Sequence, residues 1–243
     1  MKRHAMTVAL LCSTAAIAGP ADYVYLPGVE YGEREFDFKL GAATPPGAAA
    51  QRAASLGFGY GASEVWFTEI YLKYEREGGT GTRFDAIEWE NKFQLTETGK
   101  YPVDLGFIVE FEAPRQRSEG YELRFGPLLQ AESGALQFNA NLLLERVLRN
   151  TDSLAHVTEL GYQWQAKYRL RPAFEFGLQG FGEVGKWNDW DNREEQNHRL
   201  GPALFGKLPL GNHQALRYNA AWLFGASSAA PDHTLRAQVE FEY

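Results

Sequence analysis

The chain is nearly without cysteine: Cys12 is the single one in 243 residues. It falls in a leader expected to be removed, so the remaining chain can form no internal disulfide. A small secreted domain stapled by disulfides is thereby excluded. Long hydrophobic runs are also missing. No stretch approaches the 18 consecutive apolar residues that would mark a membrane-spanning helix. Basic charge is in deficit, with 24 Lys and Arg against 31 Asp and Glu and a net charge of −7. That balance argues against nucleic-acid binding.

What is present begins with an export signal. Lys2, Arg3 and His4 make a basic start, Met6 to Ile17 is an almost wholly apolar run, and Ala16-Ile17-Ala18 is a small-x-small cleavage site. Residues 1–18 therefore read as a secretory signal peptide. Residues 19–243 are left as one domain, of net charge −9 once Lys2 and Arg3 are lost. Lipoprotein processing at Cys12 is the alternative, but Leu10-Leu11 fits the required apolar-small-small box poorly. An exported chain with no helical anchor is periplasmic, secreted or an outer-membrane barrel.

Period-2 alternation decides among these. Successive side chains of a strand point to opposite faces, and in a membrane barrel one face meets lipid and the other the lumen. The pattern recurs twelve times, near residues 29–40, 53–61, 65–75, 84–95, 103–112, 121–130, 136–145, 158–169, 173–184, 198–207, 214–224 and 234–243. In the fifth, Val103, Leu105, Phe107, Val109 and Phe111 alternate with Asp104, Gly106, Ile108, Glu110 and Glu112. Twelve is even, as a closed barrel with both termini on one side requires. Connections alternate between longer and shorter, as expected for outer and periplasmic sides. The expected fold is an all-β, closed, antiparallel, up-and-down transmembrane β-barrel. Two places resist: Leu142 to Leu148 could form a helical turn, and Pro127 and Pro202 fall inside strands, where a bulge would rescue the lost donor.

Alternation alone does not say which face points inward. Export favours the membrane. So do Trp66, Tyr74, Tyr121, Tyr168, Trp222 and Tyr243 near the ends of the apolar face, where interfacial girdles sit. The final strand ends Val239-x-Phe241-x-Tyr243. This ending resembles the terminal strand of Gram-negative outer-membrane barrels, with Tyr243 in place of the usual Phe. The resemblance implies an outer-membrane location, contact with outer-membrane lipids, and recognition of Phe241 and Tyr243 by the barrel-assembly machinery. Gly126-Pro127, Gly201-Pro202, Trp66-x-x-Glu69 and Glu88-Trp89-Glu90 further resemble transport barrels of the MetA-pathway phenol-degradation type, which implies a transport role.

Parity then gives a charged lumen: Glu69, Lys73, Glu88, Glu90, Lys92, Asp104, Glu110, Glu122 and Arg124 on one arc, and Lys167, Arg169, Arg199, Arg217 and Arg236 on the other. Opposed acidic and basic walls would orient polar solutes. The expected function is a channel or transporter for small polar or organic solutes, with a mild cation preference from the acidic excess. A closed structural barrel is the alternative, because opposed charges can pair across a small bore. An outer-membrane lipid hydrolase is the other. It would need a serine beside His156, His198, His213 or His233, and no histidine sits on a strand at such a spacing. Asp189, Asp191, Glu194 and Glu195, with Trp187 and Trp190, lack the fixed spacing of a calcium loop and read as a solvated outer loop. No cofactor or metal is expected.

Overall fold

The computed structural model describes residues 19–149 and 157–243. The expected signal peptide and the lipoprotein alternative at Cys12 lie outside the described residues. Twelve long strands follow one another: β1 Arg34–Thr44, β2 Gln51–Ser63, β3 Trp66–Arg76, β4 Arg83–Gln94, β5 Asp104–Pro114, β6 Tyr121–Ser133, β7 Leu136–Leu148, β8 Thr158–Arg171, β9 Phe174–Lys186, β10 Asn197–Gly211, β11 Gln214–Gly225 and β12 His233–Glu242. Each pairs antiparallel with the next. β12 returns to β1, with Phe36 opposite Phe241, so the sheet closes into a barrel without an edge. A two-residue strand, Asp189–Trp190, folds back on the end of β9.

The start of β1 and the end of β12 sit with the tight turns. At one of these Asn212 and His213 take φ of 52° and 63°, the left-handed pair that a two-residue hairpin favours. This rim also carries one longer connection, residues 95–103. The opposite rim carries the longer connections, and by the rule for outer-membrane barrels it is the outer one.

The faces are reversed relative to a soluble barrel. Phe36 and Phe38 are 49% and 45% exposed, while Asp37 between them is 1% exposed. The same inversion recurs along the other strands: Leu56, Ile70, Trp89, Leu142, Leu178, Leu204, Trp222 and Leu235 are exposed, and Glu69, Glu90, Asn139, Gln163, Gln179 and Arg236 are buried. Oily side chains cover the outer surface, and polar ones fill the bore.

Three expectations change. The first strand starts at Arg34, not at 29, because residues 29–33 lead out of the bore and turn at the rim into β1. Leu142 to Leu148 is strand, with Leu143 turned inward against Ile108 and Leu128. Neither Gly-Pro pair is a bulge. β6 keeps one register on β7 from Phe125↔Leu144 to Leu128↔Asn141, and β10 keeps one on β11 from Leu200↔Phe224 to Ala203↔Ala221. The glycine before each proline lets a neighbouring carbonyl, of Leu142 or Trp222, come in where a Cβ would stand.

Candidate functional site

The bore is not empty. Residues 19–33 enter it and run from the level of Gly41, in the outer half of β1, down to the periplasmic rim. Inward-facing wall glycines receive this segment. A Cβ at Gly41 would collide with the Pro20 carbonyl, one at Gly61 with the Glu30 carbonyl, and one at Gly106 would lie 2.9 Å from Pro27 Cα. Asn141 Nδ2 donates to the Tyr25 carbonyl at 3.2 Å, and the Val29 amide donates to Gln94 Oε1 at 2.7 Å. Two small apolar clusters grip the segment. Val24 packs with Phe181, Ala203, Phe205, Ala221 and Leu223, and Tyr25 packs with Ile108, Leu128 and Leu143. Burying a side chain of this size contributes about 1.5–3 kcal/mol.

Tyr23 and Tyr25 reach into an acidic arc. One row of paired positions runs Glu69, Glu90, Glu110, Arg124, Glu145 across β3 to β7. The next runs Tyr71, Glu88, Glu112, Glu122 across β3 to β6. The Tyr23 hydroxyl donates to Glu90 at 2.7 Å, and the Tyr25 hydroxyl donates to Glu110 at 2.5 Å. Arg124 pairs with Glu145 at 3.0 Å, Glu110 at 3.3 Å and Asp22 of the segment at 3.8 Å. Lys73 pairs with Glu88 and Glu112. Lys92 stands 4.9 Å from the centre of the Phe67 ring. Asp104 lies apart from this network, where it accepts the Gly99 amide at 2.8 Å and fixes the 95–103 turn.

The opposite arc differs from the basic wall that parity suggests. Four of the five bases expected on that side are near an acid: Lys167 and Glu175 at 3.0 Å, Arg169 and Glu132 of β6 at 2.9 Å, Arg199 and Glu183 at 3.9 Å, and Arg217 and Glu240 at 3.6 Å. Local pairing removes much of the transverse field. Between these pairs lies a ladder of buried amides. Gln137 and Asn139 donate to Gln130, Gln165 to Asn139, and Gln179 to Gln165. Arg236 then donates to Gln179, and Gln238 to Asp37 of β1.

Beside the inserted segment, toward the periplasmic rim, lies a cavity of about 590 Å³ lined by both arcs, among them Glu35, Glu69, Lys92, Gln137, Arg169 and Arg217. At its mouth, burial raises the Glu33 carboxyl above the usual carboxylate range, against the opposing pull of Arg217. At the seam of the barrel the Tyr243 ring stacks on Phe36 and Phe241 at 5.8 and 5.7 Å on the outer face.

Three solved structures match this architecture. An outer-membrane channel from Pseudomonas putida F1 superposes with a TM-score of 0.63 at 13% identity, over 93% of this chain and 98% of that one. The NanC porin gives 0.57 at 11% identity, over 86% and 98%. The translocator domain of the autotransporter NalP from Neisseria meningitidis gives 0.50 at 13%, over 88% of both. The chain has the fold of a twelve-stranded outer-membrane β-barrel. No protein-family model matches its sequence, and no curated protein matches it.

Several sequence candidates play no part in the lumen of this barrel. Asp189, Asp191, Glu194 and Glu195 form no convergent set among the described residues; the carboxylates that do converge are Glu88, Glu90 and Glu110. His198 lies between Tyr162, with the hydroxyl 2.9 Å from Nδ1, and Gln196, 2.7 Å from Nε2. His233 packs on Trp222 and Phe224. His156 lies outside the described residues. Sequence reasoning missed Tyr23, Val24 and Tyr25 altogether. The one available signal was glycine at inward positions 41, 61 and 106.

Proposed function

We propose that this barrel is a channel for small polar solutes whose bore is closed by its own N-terminal segment. The observation that carries this reading is the fit of residues 20–30 to the wall. Glycines berth the segment's backbone, and two tyrosines hydrogen-bond to wall carboxylates. Wall side chains alone fill an eight-strand barrel, and twelve strands enclose a wider bore. Here a separate stretch of chain enters the bore, and a cavity of about 590 Å³ persists beside it. The lumen residues are those of the two arcs: Glu69, Lys73, Glu88, Glu90, Lys92, Glu110, Glu122 and Arg124 facing Lys167, Arg169, Arg199, Arg217 and Arg236. Because four of the five bases of the second arc are paired with acids, and Glu35 and Glu69 make no salt bridge among the described residues, the passage favours cations. Phe241 and Tyr243 serve as the insertion signal read by the assembly machinery.

Planar-bilayer recording tests the reading. The full chain should give small or rare potassium currents, and deletion of residues 20–30 should give larger, persistent ones that favour cations. Absence of current from both proteins overturns it.

A further inference from the structure

We infer that the β1–β3 wall of the periplasmic cavity is a binding subsite for small organic cations of the alkylammonium type, centred on Phe67, Glu35 and Glu69. The inference deepens the channel reading, which supplies its physiological sense.

The wall at this point is shaped to present aromatic faces. A Cβ at Gly59 would meet the Phe67 ring at 2.5 Å and Glu35 Cγ at 2.9 Å, and one at Gly57 would meet the Tyr71 ring and Glu69 Oε1. Two glycines on β2 thus let two rings lie against the barrel wall with carboxylates at their edges. A ring face flanked by carboxylates attracts a cation through both the ring quadrupole and direct charge. Glu69 is 3% exposed and lines the cavity, and its Oε1 has no hydrogen-bond partner. Glu35 and Glu69 make no salt bridge among the described residues.

The protein already uses this chemistry on its own ammonium groups. Lys39 Nζ sits 3.5 Å from the centres of both the Tyr23 and Tyr71 rings and 3.4 Å from Asp37. That position is filled and sealed by the inserted segment. The neighbouring Phe67 ring, itself buried, borders the cavity together with Lys92, which stands 4.9 Å from the ring centre and makes no salt bridge among the described residues. An incoming alkylammonium ion displaces Lys92 from the ring and takes its place between Glu35 and Glu69. Amides line the opposite side and would accommodate hydroxyl or carbonyl groups of the same solute.

Calorimetry on the full chain in detergent tests this with tetramethylammonium chloride, against potassium chloride, magnesium chloride and sucrose. Tetramethylammonium should bind saturably and at least about tenfold more tightly than the others. Phe67→Leu and Glu69→Gln should each weaken it about tenfold, and Glu97→Gln, in the exposed turn, should not change it. Heat-modifiable gel mobility verifies that each variant is folded. If Phe67→Leu fails to fold, the nearly isosteric Glu69→Gln carries the test. Equal binding of sucrose, tighter binding of magnesium, or an affinity unchanged in Glu69→Gln overturns the inference. Binding needs no current, so loss of conductance with binding intact removes the channel reading and leaves the subsite standing.

Discussion

The carbonyl of Pro20 occupies the space in which a side chain of residue 41 would stand, and residue 41 is glycine. The two are 21 positions apart in sequence and meet only because the N-terminal segment turns back into the barrel that follows it. Gly106 makes the same kind of room for Pro27. Gly41→Val or Gly106→Val should therefore push the segment out of its berth at a cost of about 1–3 kcal/mol. The barrel should stay heat-modifiable on gels while potassium conductance rises.

Tyr23 and Tyr25 attach the segment to Glu90 and Glu110. Replacing both by Phe keeps the packing and removes two hydrogen bonds to carboxylates, each contributing about 1.5–3 kcal/mol. Openings in single-channel records should become more frequent, with unitary conductance unchanged.

Arg124 holds Glu110, Glu145 and Asp22 together in the buried lumen. Arg124→Met leaves carboxylates without their counter-charge and should cost about 3–5 kcal/mol. The temperature at which the folded gel band is lost should fall, and Arg124→Lys should recover part of the loss.

Outward residues obey the opposite chemistry. Leu142 is exposed on the outer face near the middle of β7. Leu142→Arg should cost about 2–4 kcal/mol, as measured by unfolding in lipid vesicles, because a charge there faces hydrocarbon.

Tyr243 and Phe241 close the seam, the Tyr243 amide donating to the Arg34 carbonyl at 2.8 Å. Removing residues 241–243 should leave the chain unfolded in the periplasm, as cell fractionation would show by its absence from the outer membrane.

The barrel itself was written locally. An alternation of apolar and charged residues, as in Phe36-Asp37-Phe38-Lys39-Leu40, fixes both the strand and its two faces, because each residue records only which solvent its side chain meets. Twelve such records point to a closed sheet, and the export signal, the aromatic girdles and an aromatic last strand point to oil outside and charge within. The path of residues 19–33 left no such record. Its contacts with Gly41, Gly61, Gly106, Glu90 and Glu110 are all long-range, and the segment has no period of its own. Nor could parity say that Lys167 would pair with Glu175 and Arg217 with Glu240 rather than face the acidic arc, since that depends on which strands become neighbours and how far along them. Solvent partition is a property of single residues and survives in the sequence. Occupancy of an enclosed space is a property of the closed barrel, and only the tertiary structure decided it.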